Sequence, residues 1–322
     1  MAKRNHTNLD DFFDLTRNDI ERKISSTISD KSIISILNGG KRLRSLLAVL
    51  VSKACTQGKE TSDKYERSLE GTVSIELAHG ASLVHDDIID KDQVRRGRKA
   101  FYVKEGIGKA LLTGHKMLVS GFDIALSHGK EVAKLYVDSW NEVVNGEIDE
   151  VDFNKNGNGL KAVPSKSHIF EAYNKIIDLK TAALFSSACK AGALEADMKG
   201  DILRVFGAYG REIGLAYQLA DDLVDLENGE MIDSVVIPLL NRIDSKKVKI
   251  GALKQRDLKR KFAKNKDKIQ KFYLEEIKKH IDKAVEVSKS DLIPKSSYKD
   301  MLIEAPGYII NKMLGEINLS VA

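Results

Sequence analysis

Apolar side chains recur at helical rather than strand spacing over much of this chain. Steps of three and four residues separate the apolar positions Leu69, Val73, Leu77, Ala81, Val84 and Ile88. The same steps recur in Ile213, Tyr217, Ala220 and Val224, and a weaker series follows Val132. No sustained alternation of apolar and polar residues with β-branched enrichment is found, so we expect no sheet. The pattern predicts an all-α fold.

Proline usage and composition support long helices in one large domain. The 322 residues include only 4 prolines, and the first is Pro164. Proline inside a helix costs about 3 kcal/mol, so this scarcity suits uninterrupted helices. A hydrophobic fraction of 42% with a net charge of +5 is typical of a globular protein. We expect a single domain over 1–322, with a motif-bearing core over about 30–240 and basic C-terminal helices over 241–322.

Targeting signals and cysteine usage point to the cytoplasm. Cys55 and Cys189 are too few for a disulfide framework, and we expect both to be buried, reduced thiols. The charged N-terminus is not followed by the apolar segment of a secretory signal. No run of residues approaches the roughly 20 apolar positions that a membrane helix needs. The Gly- and Asn-rich segment 154–159 predicts a loop between helices.

Lysine and arginine are concentrated between residues 246 and 283. The favoured interpretation is a solvated helix face with Ile250, Leu253, Leu258, Phe262 and Ile269 turned inward. A nucleic-acid surface would need aromatic side chains among the charges, and these are missing, so we expect no nucleic-acid partner. Loose contact with an anionic membrane surface is the milder alternative.

Two segments carry the same acidic pattern, Asp-Asp-x-x-Asp. The first cluster comprises Asp86, Asp87 and Asp90, and the second comprises Asp221, Asp222 and Asp225. Each follows a stretch of helical apolar spacing, and its first and third aspartates share one helix face. Three carboxylates at the negative end of a helix are unfavourable unless a cation compensates them. Clusters of this kind suit Mg²⁺, which binds one or two carboxylates together with water and substrate phosphates.

Basic residues elsewhere are candidates for binding those phosphates. Arg95-Arg96 follows the first cluster, and arginine offers a fork of donors that fits phosphate. The segment Gly39-Gly40-Lys41-Arg42-Leu43-Arg44 combines a tight turn with a helix start, although solvated surface charges explain it equally well. Lys180, in an apolar segment, either binds an anion or extends its ammonium to solvent.

Taken together and in this order, these motifs resemble those of the trans-isoprenyl diphosphate synthases, which include farnesyl, geranylgeranyl and polyprenyl diphosphate synthases. The resemblance covers residues 39–240. It implies a helical bundle around a deep central cavity, a homodimer, and several Mg²⁺ ions in the site. It also implies a prenyltransferase of isoprenoid biosynthesis. Such enzymes ionise an allylic diphosphate (dimethylallyl, geranyl or farnesyl), condense it with isopentenyl diphosphate and eliminate a proton.

The resemblance also assigns roles to individual residues. Catalytic roles fall to the two aspartate clusters and to Lys180, with metal ligands at Asp86, Asp90 and Asp221. Contacts to isopentenyl diphosphate are implied for Lys41, Arg44, His79 and Arg96. Contacts to the allylic diphosphate are implied for Arg95, Lys180, Thr181 and Gln218. By itself, His79 would be interpreted as a core histidine.

The chain departs from the family pattern at several positions. Residues 226–234 contain no lysine or arginine where the family has basic residues, and Lys246 and Lys247 are the nearest substitutes. Tyr102, His115 and Glu147 stand where His, Asp and Gln are usual. The missing lysines motivate an alternative, a weakly active or regulatory subunit of a heteromeric synthase. A further alternative is a basic helical protein that binds nucleic acid or a membrane, and its only support is the charge of residues 246–283.

Product length is expected to depend on the residues just before the first cluster. In the family, bulky aromatic side chains four or five residues before the first aspartate stop the growing chain. Ala81 and Ser82 occupy these positions and are small. The sequence therefore predicts a product of C20 or longer, unless Met117 or Phe122 supplies the floor instead.

Overall fold

The computed structural model describes residues 8–155, 166–229 and 255–321. The described residues are mainly helical, as the apolar spacing predicts. The N-terminal helices are α1 (Leu9–Thr27), α2 (Lys31–Leu37), α3 (Leu43–Thr56) and α4 (Ser62–Asp90). Next come strands β1 (Val94–Arg95) and β2 (Arg98–Lys99), then α5 (Phe101–Glu105), α6 (Ile107–Ser127) and α7 (Lys130–Lys155). The chain continues with α8 (Lys166–Ile177), a π-helical turn (Asp178–Ala182), α9 (Ala183–Glu195), α10 (Asp201–Glu227), α11 (Gln255–Ser288) and α12 (Ser297–Leu314).

Side-chain caps mark the starts of the first helices. The Asn8 side chain accepts from the amide of Asp11 at 2.8 Å, and that of Asp30 accepts from Ser32 at 2.8 Å. Thr61 caps α4 in the same way. Each cap satisfies a backbone N–H that has no partner inside its helix. These local signals fix where α1, α2 and α4 begin, whereas α3 has no side-chain cap.

The chain divides into two compact units. Unit one contains the described residues up to Trp140 together with Ser187–Gly207 and Ser288–Leu302. Unit two contains the described residues of Asn141–Ser186, Ala208–Val287 and Ile303–Ala322. The expected single domain over 1–322 remains a prediction.

The core of unit one surrounds α3, which is buried on nearly every side. Its buried residues run from Ser45 to Ser52 and continue with Ala54 and Cys55. Such a helix needs neighbours all round, and α4 supplies one with its buried Leu69, Val73 and Leu77. Cys55 and Cys189 are buried free thiols, as predicted.

The core of unit two contains the inward face of α10 and α11. Ile213, Ala220 and Val224 of α10 are buried, which confirms the spacing noted in the sequence. On α11, Ile269 is buried as predicted, whereas several lysines of this helix pair with nearby acids, among them Lys266 with Glu227 at 2.6 Å. The described part of the basic stretch therefore forms a helix with a charged, partly ion-paired face.

Several sequence-based predictions fall outside the described residues. They concern most of the predicted loop at 154–159, residues 230–234, Lys246 and Lys247, and the predicted inward residues Ile250 and Leu253. Within the described residues, none of the helices has the length and apolar character needed to cross a membrane.

One feature differs from the prediction of a purely helical chain. Strands β1 and β2 pair antiparallel, with Arg95 opposite Arg98. The two residues between them, Arg96 and Gly97, have φ angles of 52° and 70°. A two-residue loop with both φ angles positive matches the twist of a hairpin, and glycine tolerates it readily. The hairpin is too short for alternation to be visible in the sequence.

Candidate active site

In unit one, the Gly39–Arg44 turn is built around the end of α2. Gly39 has a φ of 80°, and Arg42 precedes α3 with a φ of 58°. Two arginine side chains bind carbonyls at the C-terminal end of α2. Arg42 Nη2 donates to Leu37 O at 2.6 Å, and Arg96 Nη1 donates to Asn38 O at 3.0 Å. These carbonyls lack helical partners, so the arginines tie the hairpin and the α3 start to one place.

Arg42 is itself buried, and carboxylates from two helices hold its guanidinium. Its Nε donates to Glu21 of α1 at 2.8 Å, and its Nη1 donates to Glu76 of α4 at 2.8 Å. Ser45 donates to the other oxygen of Glu76 at 2.6 Å. Arg42 therefore anchors the turn, while Lys41 beside it is exposed.

His79 lies among arginine side chains. Arg44 Nη1 is 3.1 Å from His79 Nε2. Burial lowers the pKa of His79 well below its ordinary value, and the charges of Arg44, Arg96, Arg42 and Arg95 lower it further. Neutral His79 accepts from Arg44 at Nε2, which leaves its proton on Nδ1. That buried nitrogen has no hydrogen-bond partner among the described residues. Arginines around an unsatisfied donor are the surroundings that an anion needs.

The first aspartate cluster occupies the last turn of α4. Asp87 is buried, Asp86 is half-buried and Asp90 is exposed. The hairpin returns Arg95 to Asp87, whose Oδ1 accepts from Arg95 Nε at 2.7 Å and lies 2.5 Å from Arg95 Nη2. Burial raises the pKa of the Asp87 carboxyl, although Arg95 opposes that shift. Asp87 is therefore held by an ion pair with Arg95, whereas Asp86 and Asp90 are more exposed.

The residues predicted to determine product length are buried in α4. Ala81 is fully buried, and Ser82 donates from its hydroxyl to His79 O at 2.8 Å. Met117 of α6 packs so closely on Gly80 that a Cβ there would lie 2.5 Å from Met117 Cε. Phe122 is partly exposed and its ring lies 6.2 Å from that of Tyr136. Met117 is thus next to the predicted positions in unit one.

In unit two, Lys180 lies on the π-helical turn between α8 and α9. Its ammonium pairs with Glu147 at 2.5 Å and also with Glu150, both from α7. Gly146 makes this approach possible, because a Cβ there would lie 2.9 Å from Lys180 N. Neither sequence interpretation of Lys180 anticipated this: the lysine is held by two carboxylates, and an incoming anion would compete with them.

The second aspartate cluster lies near the end of α10. Asp222 is buried, whereas Asp221 and Asp225 are half-buried. Gln218 Nε2 donates to Asp222 Oδ1 at 2.9 Å, and the Tyr173 hydroxyl donates to Oδ2. Thr181 donates to Gln218 Oε1 at 2.7 Å, so Thr181 and Gln218 are joined as well. Burial raises the pKa of Asp222 to about 7, and the Tyr173 and Gln218 hydrogen bonds oppose the shift.

The donor types in both clusters fit a hard divalent cation. All six side chains are carboxylates, which Mg²⁺ prefers over the softer ligands that select zinc. Among the described residues, no three carboxylate, imidazole or thiolate groups converge tightly enough to hold a metal ion alone. Water and ligand oxygens would have to complete its coordination, which is the usual binding mode of Mg²⁺.

Sequence reasoning missed the residues that hold the others in place. In the sequence, Arg42 is only one member of a basic turn, and no motif marks Tyr173 or Glu150. Tyr173 stands seven residues before Lys180, and this two-turn spacing was the available signal. Their partners lie far away in the chain, so spacing alone could not identify them.

Comparison with known proteins identifies the family. The profile described as polyprenyl synthetase matches residues 26–287. The short chain isoprenyl diphosphate synthase of Methanothermobacter thermautotrophicus is 32% identical over 223 residues, 65% of this chain and 64% of that protein. The geranylgeranyl diphosphate synthase of Methanosarcina mazei is 28% identical over 201 residues, 60% of this chain and 57% of that protein. The match thus spans less than two thirds of either relative.

Solved structures show the same architecture. A decaprenyl diphosphate synthase from Rhodobacter capsulatus has a TM-score of 0.77 over 95% of this chain and 99% of its own, at 20% identity. A geranylgeranyl pyrophosphate synthetase from Geoglobus acetivorans has a TM-score of 0.73 over 94% and 99%, at 22% identity. At these identities the likeness establishes the fold alone, which is the all-α isoprenyl synthase fold. With the profile match over most of its length, the chain belongs to the polyprenyl synthetase family.

Proposed function

We propose that this chain is a Mg²⁺-dependent trans-prenyltransferase that condenses isopentenyl diphosphate with an allylic diphosphate. One observation in unit one carries most of the weight. His79, with Arg44 against it, lies seven residues before Asp86 on α4. Seven residues are nearly two helix turns, or about 10 Å along the axis. A group of basic side chains that can bind an anion and a cluster of carboxylates therefore share one helix face. A diphosphate and a divalent cation both have suitable partners there.

The proposed reaction proceeds by ionisation, condensation and elimination. The bond from the allylic carbon to oxygen breaks, and its electron pair leaves with pyrophosphate. The double bond of isopentenyl diphosphate then attacks the allylic cation, and loss of a proton restores a double bond. Several Mg²⁺ ions, when bound, supply positive charge that stabilises the leaving pyrophosphate.

This chain's own residues bind and orient the two substrates. In unit one, Lys41, Arg44, His79 and Arg96 are proposed to hold isopentenyl diphosphate, and Arg95 to contact the allylic diphosphate. In unit two, Lys180, Thr181 and Gln218 are proposed to contact the allylic diphosphate. Fixed charges of this kind act where negative charge develops on the leaving group. Lys180 must first exchange its carboxylate partners for the diphosphate.

The reaction is tested by incubating the purified chain with Mg²⁺, isopentenyl diphosphate and each of the C5, C10 and C15 allylic primers. We expect elongated products, sized by mass. Asp86→Asn should reduce turnover by at least about 100-fold, because this carboxylate is a proposed metal ligand. Asp123→Asn, at an exposed position on α6, is the matched control. Folded chain that elongates none of the primers would favour the regulatory-subunit alternative.

We further propose that the final product is C20 or longer. The support is the small size of Ala81 and Ser82 one turn below Asp86. Ala81→Phe should shorten the product because the ring would fill the space below the first cluster, and Ser82→Phe tests the neighbouring position. Products are sized by mass, and a melting curve confirms that each variant is folded. Unchanged product lengths from both folded variants would contradict the proposal.

The homodimer is also proposed, on the basis of an apolar stripe along α6. Leu112, Val119 and Leu126 are spaced by seven residues and are 70%, 69% and 54% exposed. A heptad spacing places them on one face, and apolar patches of this kind mark protein interfaces. A second copy of the chain is the proposed occupant.

A further inference from the structure

A partly buried chain of hydrogen bonds in unit two joins α8, the π-helical turn and α10. It begins at Thr181, whose hydroxyl donates to Gln218 Oε1 at 2.7 Å. Gln218 Nε2 donates in turn to Asp222 Oδ1 at 2.9 Å. The Tyr173 hydroxyl of α8 donates to Asp222 Oδ2 from the other side. Each donor meets one acceptor, so the orientation of the Gln218 amide is consistent along the whole chain.

Asp222 is therefore held in place by hydrogen bonds from two side chains of the protein. Its two carboxylate oxygens each accept from a different side chain, and the residue is only 5% exposed. Its neighbours Asp221 and Asp225 are half-buried and face a more open surrounding. The three aspartates therefore differ in burial and in their contacts. Asp222 fixes the end of α10, and the other two remain accessible to ligands.

Tyr173 does more at this position than fill space. Phenylalanine keeps the ring of this residue, which is buried at 4% exposure. The hydroxyl is the only part that phenylalanine lacks, and it is the part that reaches Asp222. A buried carboxylate that loses one of its donors becomes costly and tends to reorient.

We propose that Tyr173 is a positioning residue: through Asp222 and Gln218 it fixes the turn that carries Lys180 and Thr181 relative to the second aspartate cluster. The inference rests on the proposed function, because it concerns residues that the proposal assigns to the allylic diphosphate and its cations. Tyr173 touches no substrate in this scheme. It orients the residues that are proposed to contact the substrate.

The expected consequence is specific to one substrate. Removing the Tyr173 hydroxyl should weaken the binding of Mg²⁺ with diphosphate in unit two, roughly 10- to 100-fold, the range seen when hydrogen-bond partners behind a metal site are removed. The KM for the allylic diphosphate should rise. The KM for isopentenyl diphosphate should stay within about twofold, because its proposed contacts, Lys41, Arg44, His79 and Arg96, all belong to unit one.

The test compares Tyr173→Phe with wild type and with Tyr209→Phe. Tyr209 is a fully buried tyrosine on the same α10 helix, 13 residues or about 20 Å before Asp222, so it controls for the loss of a buried hydroxyl. Binding of inorganic pyrophosphate in the presence of Mg²⁺ is measured by calorimetry, a readout independent of turnover. The two KM values are measured alongside it.

A double-mutant cycle with Asp222→Asn shows whether Tyr173 acts through that carboxylate. If it does, Tyr173→Phe has little further effect in the Asp222→Asn background. A merely structural role would instead lower the melting temperature and weaken pyrophosphate binding in both backgrounds, and that result would overturn the inference.

The remaining outcomes separate this inference from the proposed function. Tyr173→Phe with wild-type pyrophosphate affinity and wild-type KM values overturns the positioning role while leaving an active enzyme. Wild-type chain that binds Mg²⁺ with pyrophosphate but elongates no primer contradicts the proposed function, and the calorimetric comparison still decides the role of Tyr173. Wild-type chain that does neither overturns both.

Discussion

Arg42 lies almost wholly inside unit one, where its guanidinium meets carboxylates from α1 and α4. Its backbone has a left-handed φ of 58°, which is unfavourable for a residue with a side chain. The ion pairs with Glu21 and Glu76 compensate for that conformation. Arg42 therefore holds the turn in the shape that presents Lys41 and Arg44.

We expect Arg42→Ala to destabilise the protein by about 3–5 kcal/mol, because Glu76, which is 3% exposed, would lose its charge partner. Arg22→Ala is the control. Arg22 is half-exposed and pairs with Asp19 and Glu66, so its loss should cost no more than about 1 kcal/mol. Urea denaturation of both variants gives the free energies of unfolding. Equal losses for the two variants would contradict the anchoring role.

His79 makes stability depend on pH. Its pKa in the folded protein is well below the ordinary value of about 6.5, so below pH 6.5 the unfolded chain takes up a proton that the folded chain does not. The free energy of unfolding should therefore fall as the pH drops from about 7.5 to about 5.5, and above that range His79 contributes nothing. His79→Gln should lose less stability over the same interval in urea titrations.

The control for that measurement is His115→Gln, at an exposed position on α6. It removes an imidazole without touching the arginines around His79. If His79→Gln retained the full pH dependence of the wild type, the neutral state of His79 would be wrong.

Glycines allow several close helix contacts among the described residues, and two of them are at Gly146 and Gly192. Gly146 of α7 lies against the π-helical turn, and Gly192 of α9 lies against α3. A Cβ at Gly192 would lie 2.1 Å from Ala48 O, which is a backbone atom and cannot rotate away. The two helices therefore pack at a distance that no larger residue permits.

We expect Gly192→Ala to lower stability by about 1–3 kcal/mol, because the added methyl forces α9 away from α3. Gly307→Ala is the control on α12, where a Cβ would meet no atom within 4 Å. That variant should gain up to about 1 kcal/mol from higher helix propensity. Thermal melts of the two variants should shift in opposite directions, and a stabilised Gly192→Ala would contradict the close packing.

At the scale of the whole molecule, the two compact units divide the candidate chemistry. Unit one holds the first aspartate cluster and the arginine-lined His79, and unit two holds Lys180 and the second cluster. Each unit fixes its own aspartate cluster by burying the middle carboxylate against a donor. Arg95 performs this role for Asp87, and Tyr173 performs it for Asp222.

The proposed dimer predicts a measurable change in mass. Wild-type chain should have the mass of two copies in size-exclusion chromatography with light scattering. Val119→Glu places a charge in the apolar stripe of α6 and should yield single chains. Leu292→Glu, at a similarly exposed apolar position before α12, should remain dimeric. A single-chain mass for the wild type at micromolar concentration would refute the dimer.

The amino-acid sequence by itself determined the elements that arise from local spacing. The apolar periodicity predicted α4 and α10, and both end within two residues of their aspartate clusters. The same-face placement of the first and third aspartates follows from helix geometry alone. The motif order was sufficient to identify the family, because six carboxylates and their basic partners form a specific set.

Tertiary structure decided which side chains restrain the others. Arg42 meets Glu76 across 34 residues, Lys180 meets Glu150 across 30, and Tyr173 meets Asp222 across 49. Local periodicity contains no information about such pairs, because they depend on how separate helices pack. The short hairpin that brings Arg95 to Asp87 was invisible for a related reason: two-residue strands are too short to establish an alternating pattern, and only the folded chain shows where they lie.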